Sequence, residues 1–419
     1  MYPNREIKEM NRLLLSAPSG ISTDVLLPAS KSICNRVLII HALSAGKQPL
    51  SNLSDCDDTK AMIKALKNRS ATIDIGAAGT AMRFLTAFFS TQSSCHILTG
   101  TERMQHRPIA PLVDALRSLG ANIVYEKNEG FPPLRVSGSA LCGGEITIPG
   151  NVSSQYISAL LLIAPTLQNG LNLYLTGNVI SRSYINMTIS LMKEFGAEAS
   201  WADQNRIVVK PSTYIDRSYS MESDWSAASY WYEMVALSSV ASIRLAQLTR
   251  DSYQGDSRVA AVFEKLGVHT EYVGQGVNLT KVNSVVSYFE DDFSDIPDLA
   301  QTVIVTCTLL GIPFRITGLQ TLKIKETDRV LALEKELYKL GFVLKDDLGG
   351  SVMLWNGECC PIVDDAIIET YEDHRMAMAF APAALKFGSI CIDHPQVVNK
   401  SYVGYWNDLQ QAGFQMEMI

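Results

Sequence analysis

The sequence lacks any apolar stretch approaching the roughly 18 residues that a membrane-spanning helix requires, so no membrane partner is expected. Its opening twenty residues, MYPNREIKEMNRLLLSAPSG, hold an apolar run of only three leucines with two acidic residues ahead of it. That pattern is neither a secretory signal nor a transit peptide, and it points to the cytoplasm. A basic excess is missing too: 36 Lys and Arg stand against 43 Asp and Glu, a net charge of −7. Nucleic-acid-binding surfaces usually carry such an excess to displace counterions from phosphates, so no nucleic acid is expected, and any anion must be gripped locally. The eight cysteines (34, 56, 95, 142, 307, 359, 360, 391) show no CxxC spacing, and Cys359 and Cys360 are adjacent. This argues against a disulfide framework or a metal site, and the thiols read as reduced and mostly buried.

What is present describes a globular protein, with 47% hydrophobic and 19% charged residues. At 419 residues two domains are the default. One local pattern recurs: an amphipathic helix, a glycine, then a strand-like run. It appears at LVDALRSLGANIVYE (Gly120), TISLMKEFGAEASWA (Gly196), AAVFEKLGVHTEYV (Gly267), LEKELYKLGFVLKDD (Gly341) and NDLQQAGFQMEM (Gly413). The glycine suits a left-handed helix C-cap, and the alternation after it suits a half-buried strand. Successive glycines lie 76, 71, 74 and 72 residues apart. The nearest sixth copy is MIKALKNRSATIDI, with Ser70 in the glycine's place and only 50 residues to Gly120, so the first unit reads as shortened. Six small αβ units, grouped three plus three, are expected.

Four clusters carry candidate chemistry. In LPASKSICNRVLII, Lys31, Ser32 and Arg36 enter an apolar helix, with Ser30 or Ser32 placed to cap it beside a natural anion site. GAAGTAMRFLTAFF is a glycine-rich turn entering a helix, where backbone N–H groups can approach a ligand; it has neither the lysine of a phosphate-cradling nucleotide loop nor dinucleotide spacing. NVSSQYISALLLIAP opens an apolar helix with Ser153, Ser154 and Gln155, neutral groups suited to a phosphate or a polyol. TLKIKETDRVLALEKEL crowds Lys325, Glu326, Asp328 and Arg329 before a helix, as YEDHRMAMAFA does Asp373, His374 and Arg375. Adding Arg83, Arg107 and Lys400 gives an acidic protein a set of cations suited to capturing phosphate and carboxylate groups. Glu326 would stand among them as a proton-transfer group.

These motifs, in order and with FPPLRV, IPD and RMQHRPI between them, resemble 5-enolpyruvylshikimate-3-phosphate synthases of the enolpyruvyl transferase family, from about residue 20 to about residue 405. The resemblance implies an α/β (α+β) protein of two domains, each built from three βαβαββ-type units around a pseudo-threefold axis. It implies a discontinuous domain, 1–29 plus 225–419, and an inserted domain, 30–224. The implied reaction transfers the enolpyruvyl group of phosphoenolpyruvate to the 5-hydroxyl of shikimate 3-phosphate by addition and elimination. The implied enzyme is a monomer that needs no metal or organic cofactor. By motif, Lys31 would touch both substrates and count with Asp298 and Glu326 as catalytic; Asp298 would be the base for the hydroxyl and Glu326 the acid for the enol methylene. Ser32, Arg36, Ser153, Ser154, Gln155, Ser181, Asp298, Thr321 and Lys325 would hold shikimate 3-phosphate. Gly79, Arg107, Gln155, Arg329, Arg375 and Lys400 would form the phosphoenolpyruvate pocket, where glyphosate competes in this family. The sequence departs from the family pattern at Ala77, which replaces an asparagine, and at Thr321, which also replaces one. SRSY replaces the usual SKPY, KSYVGYW replaces KTFPDYF, and about one strand pair of the first unit is missing. Two rivals remain open at this stage: the transferase acting on UDP-N-acetylglucosamine, which relies on a loop cysteine, and a non-catalytic anion-binding relative.

Overall fold

The computed structural model describes residues 11–68 and 70–419. Two hydrophobic cores organise them. One gathers Leu15 to Leu27 with Trp225 to Phe414, and the other runs from Ala29 to Met221. The chain passes between them at two adjacent points. There Ala29 and Ser223 form an antiparallel bridge, the Ser30 amide donates to the Glu222 carbonyl (2.8 Å), and the Asp224 amide donates to the Pro28 carbonyl (2.9 Å).

Around the two cores stand five four-stranded sheets and one two-stranded sheet among the described residues. All five larger sheets share one strand order. In one, Phe289–Asp292 runs parallel to Phe314–Thr317, which pairs antiparallel with Val352–Trp355, which pairs antiparallel with Lys345–Asp347. The first two strands of a unit are thus joined by a helical crossover and the last two form a hairpin, as a βαβαββ unit requires. One unit is closed by the N-terminal strand: Arg12–Ser16 lies between Ser389–Asp393 and Gln415–Met418, with Leu13 opposite both Ile392 and Met418. The shortened unit is the two-stranded sheet, where Tyr219–Ser220 pairs parallel with Leu50–Ser51 and the hairpin is absent.

The five repeat glycines all have φ between 85° and 101°, the left-handed C-cap conformation expected of them. The sixth copy is different. Its helix Asp57–Lys67 ends at Asn68 in extended conformation, and the strand Thr72–Asp74 pairs with Cys95–Thr99, so it opens the next unit rather than closing this one. With no hairpin to enter, the chain has no left-handed reversal to make, which is why Ser70 replaces glycine.

Each unit also contributes a helix buried on nearly all sides. Lys31–Leu43, Gly79–Ser90 and Ser154–Ile163 pack on one another in one core, and Trp225–Leu237, Ala300–Leu310 and His374–Phe380 line the other. Ala300–Leu310 carries the run Thr302-Val303-Ile304-Val305-Thr306, which favours strand locally; burial from Ala300 to Leu309 overrides that preference. Two expectations need correction. Only Cys34, Cys56 and Cys307 are buried among the eight free thiols; Cys95 and Cys391 stand on strands with their side chains toward the outer face, and Cys142, Cys359 and Cys360 lie outside the regular elements. Ser30 occupies the N-cap of Lys31–Leu43, but its hydroxyl makes no capping bond.

Candidate active site

Five of the six buried helices begin at one cleft between the two cores, the exception being Trp225–Leu237. Lys31, Gly79, Ser154, Ser181, Asp298, Arg329 and His374, each at or beside a helix N-terminus, line its wall. Converging N-termini bring unpaired N–H groups and partial positive charge to one place. Lys31, Arg36, Arg83, Arg107, Lys325, Arg329 and Arg375 face only Asp58, Asp298 and Glu326 there. In a chain of net charge −7, that local cation excess is an anion site by construction.

Arg329 is the hub. Its Nε donates to Asp373 Oδ2 (2.7 Å), Nη1 to Asp298 Oδ1 (3.2 Å) and Nη2 to Glu326 Oε2 (3.1 Å). Asp373 is fully buried and also caps the helix His374–Phe380 by accepting from the Arg375 amide (2.9 Å). Asp298 further accepts from Arg375 Nη2 (2.8 Å), Tyr184 Oη (3.0 Å) and Lys325 Nζ (3.5 Å). Burial alone would raise its pKa, but Arg375, then Lys325, Arg329 and Lys31, outweigh burial and hold the carboxyl well below the usual range. Glu326 accepts from Lys400 Nζ (2.8 Å) and lies 3.9 Å from Arg107 Nη1. Burial again opposes its ionisation, and Lys400, Arg329 and Arg107 reverse the balance. Burial lowers the pKa of Lys325. Burial also works against the charge of Lys31, but Asp58, 3.4 Å away, more than restores it.

The structure brings every residue expected from the motifs to this cleft except Lys400, which stands behind Glu326 and reaches it with its ammonium. Arg36 is already heavily engaged: it donates to Thr188 Oγ1, the Ser32 carbonyl, Ser158 Oγ and the Tyr184 carbonyl. Four of its five N–H groups are thereby used inside the protein, and burial lowers its pKa to about 10. Ser181 sits at φ 54° with its hydroxyl uncapped, and Thr321 Oγ1 is buried without a partner, so both hydroxyls are free for a ligand. Gln155 Nε2 donates to Thr80 Oγ1 (3.2 Å), joining the serine-rich helix start to the glycine turn. That turn holds without an asparagine at 77: Asp74 Oδ1 accepts from the Gly76 amide (2.8 Å), and the Thr101 amide donates to the Gly76 carbonyl (3.1 Å).

Sequence reasoning missed Asp58, Tyr184 and the clamp role of Asp373. Tyr184 follows Ser181 by three residues, about one helical turn, and that spacing is the signal that was available. Nothing local separates Asp58 from Asp57; only its pairing with Lys31 does. His374 has both ring nitrogens buried and unpaired, and burial together with Lys31 and Arg375 keeps it neutral.

The profile of the family described as EPSP synthase (3-phosphoshikimate 1-carboxyvinyltransferase) matches residues 15–73 and 66–409. A curated 3-phosphoshikimate 1-carboxyvinyltransferase of Bacteroides fragilis (strain YCH46) is 60% identical over 412 residues, covering 97% of this chain and 99% of the relative. One of Sulfurovum sp. (strain NBC37-1) is 34% identical over 433 residues, covering 96% and 99%. A solved EPSP synthase of Acinetobacter baumannii shares the fold at a TM-score of 0.77 and 19% identity, covering 97% of this chain and all of that one. By sequence along nearly its whole length, and by a fold of repeated units closing on one cationic cleft, the chain belongs to the EPSP synthase (3-phosphoshikimate 1-carboxyvinyltransferase) family.

Proposed function

We propose that this chain transfers the enolpyruvyl group of phosphoenolpyruvate to the 5-hydroxyl of shikimate 3-phosphate and releases phosphate, the step of the shikimate pathway that leads to chorismate. The observation that carries the site assignment is the pair of carboxylates, Asp298 and Glu326, pinned by one arginine on the wall of a cation-rich cleft. Asp298 accepts the proton of the 5-hydroxyl as that oxygen bonds to C2 of phosphoenolpyruvate. Glu326 delivers a proton to the C3 methylene, giving a tetrahedral intermediate. The C2–O bond to phosphate then breaks, phosphate leaves with the electron pair and takes the proton held by Asp298, and Glu326 takes a proton back from the new methyl group to restore the double bond. In the free protein Glu326 is held ionised, so it acts as an acid only after an anionic substrate has neutralised Lys400, Arg329 and Arg107.

Lys31 and Gln155 face both substrates in this reading. Ser32, the remaining N–H of Arg36, Ser153, Ser154, Ser181, Thr321 and Lys325 hold shikimate 3-phosphate; Gly79, Arg107, Arg329, Arg375 and Lys400 hold phosphoenolpyruvate. The proposed domains are 1–29 plus 225–419 and 30–224, supported by the two cores and the paired crossing strands. A monomer acting in the cytoplasm is proposed as well, since one chain supplies the whole cleft and its cysteines are unpaired. Among the described residues, no helix is long and apolar enough to cross a membrane. Phosphate release with both substrates present, and titration of shikimate 3-phosphate with and without phosphoenolpyruvate, test the reading. Release only in the presence of both, with tighter binding of one in the presence of the other, is expected; silence in both assays would sink it.

A further inference from the structure

We infer that Arg103 is a positioning residue that holds the loop carrying Lys325 and Glu326 in place across the cleft. Its guanidinium donates from Nε to the Glu326 carbonyl (3.3 Å) and from Nη2 to the Lys325 carbonyl (3.5 Å). Arg103 belongs to the segment packed on one core and Lys325–Glu326 to the segment packed on the other. The loop needs such a tie. The 3-10 helix Gln320–Ile324 ends at Lys325 in extended conformation, and the helix Arg329–Lys339 starts only after Asp328. Among the described residues, no backbone amide donates to the carbonyls of Lys325 or Glu326. The catalytic side chain of Glu326 thus projects from a backbone held by the opposite wall.

Arg103 itself is well founded. Its short helix Glu102–Gln105 is capped by Thr101, whose Oγ1 accepts from the Met104 amide (3.3 Å) and whose own amide donates to Gly76 (3.1 Å). Met104 is buried beneath it. A line of contacts therefore runs from the glycine turn through Thr101 and Arg103 to the Glu326 backbone. This tie bridges the two walls, and while it holds, the Glu326 backbone is fixed in one orientation.

The inference rests on the reading of Glu326 given above, and the test separates the two. Amide exchange of the segment spanning 321–330 is measured in the full chain and in Arg103→Ala, free and with shikimate 3-phosphate. Exchange there is expected to quicken about five- to twentyfold, the scale of a lost charge-assisted hydrogen bond at a partly exposed site, while helix 79–90 is unchanged. In steady state kcat is expected to fall by a similar factor, with a smaller rise in KM for shikimate 3-phosphate, because only Lys325 and Thr321 among the residues that hold that substrate lie on the loosened segment. Arg103→Lys, able to reach one carbonyl, is expected to fall between the two. Unchanged exchange at 321–330 in Arg103→Ala overturns the inference whatever happens to turnover. A wild-type protein without turnover would refute the functional reading, and the ligand-free exchange comparison would still decide the role of Arg103.

Discussion

Replacing Gly79 with alanine tests the cleft at its tightest point. A Cβ built at Gly79 would stand 2.7 Å from Arg107 Nη1 and 3.1 Å from both Arg107 Cζ and Nη2. Ordinary contact begins near 3.4 Å, so the guanidinium must retreat by several tenths of an ångström. Arg107 has little room to do so: it is 9% exposed, its Nε has no partner, and its Nη1 faces Glu326. A displacement of that size at an anion-binding arginine falls between full retention and complete loss of the contact, which costs about 2–5 kcal/mol when desolvated. The expected result is a roughly ten- to hundredfold rise in KM for phosphoenolpyruvate, about 1.4–2.8 kcal/mol, with KM for shikimate 3-phosphate within about threefold of wild type. The fold should not suffer, since Gly79 is not in the left-handed region and alanine favours the helix it begins. Glyphosate, the competitor of phosphoenolpyruvate in this family, should lose more affinity than the substrate, because it relies on the same arginine without being carried through the reaction. The assay is phosphate release at several concentrations of each substrate and of glyphosate, beside a thermal melt. Equal losses for the two substrates, or an unchanged phosphoenolpyruvate KM with wild-type stability, would refute the placement of Arg107.

Glu326→Gln should bind both substrates and lose roughly two to four orders of magnitude in turnover, as titration and single-turnover kinetics would show; near-normal turnover would remove it from the mechanism. Asp373→Ala removes the fully buried one of the three carboxylates that Arg329 holds and leaves its Nε unpaired, so denaturant unfolding should report a loss of about 1–3 kcal/mol, and a loss below about 1 kcal/mol would contradict the clamp. Glu233 is buried with both carboxyl oxygens unpaired, and burial pushes its pKa well above the ordinary value. A raised carboxyl pKa favours the fold below the unfolded value and penalises it increasingly as pH rises toward the folded one. Stability should therefore fall from about pH 4 upward through this group, and Glu233→Met should flatten that slope in urea melts; an unchanged slope would refute the burial argument.

How much was legible depends on the range of the interaction. The five glycines showed in the sequence because a left-handed C-cap excludes most side chains, a constraint that acts on one residue at a time. The missing hairpin showed as a short interval, but the role of Thr72–Asp74 did not: whether a strand closes one unit or opens the next depends on its partner, Cys95–Thr99, which lies beyond an entire helix. The burial of Ala300–Leu310 likewise overrode a β-branched run that reads locally as strand.

The same division runs through the site. The sequence by itself determined the inventory: which cations, carboxylates and hydroxyls begin helices, and which motifs they form, because capping and helix entry are local and leave fixed spacings. Tertiary structure decided how that inventory is used. It joined Arg329 to Asp298, Glu326 and Asp373 at once, spent four N–H groups of Arg36 within the protein, and set Asp58 against Lys31. It also held Asp298 and Glu326 ionised, which no count of nearby residues along the chain could reveal. The physical reason is that charge interactions and desolvation depend on distances of a few ångströms between residues up to hundreds of positions apart, and only the folding of both cores onto one cleft sets those distances.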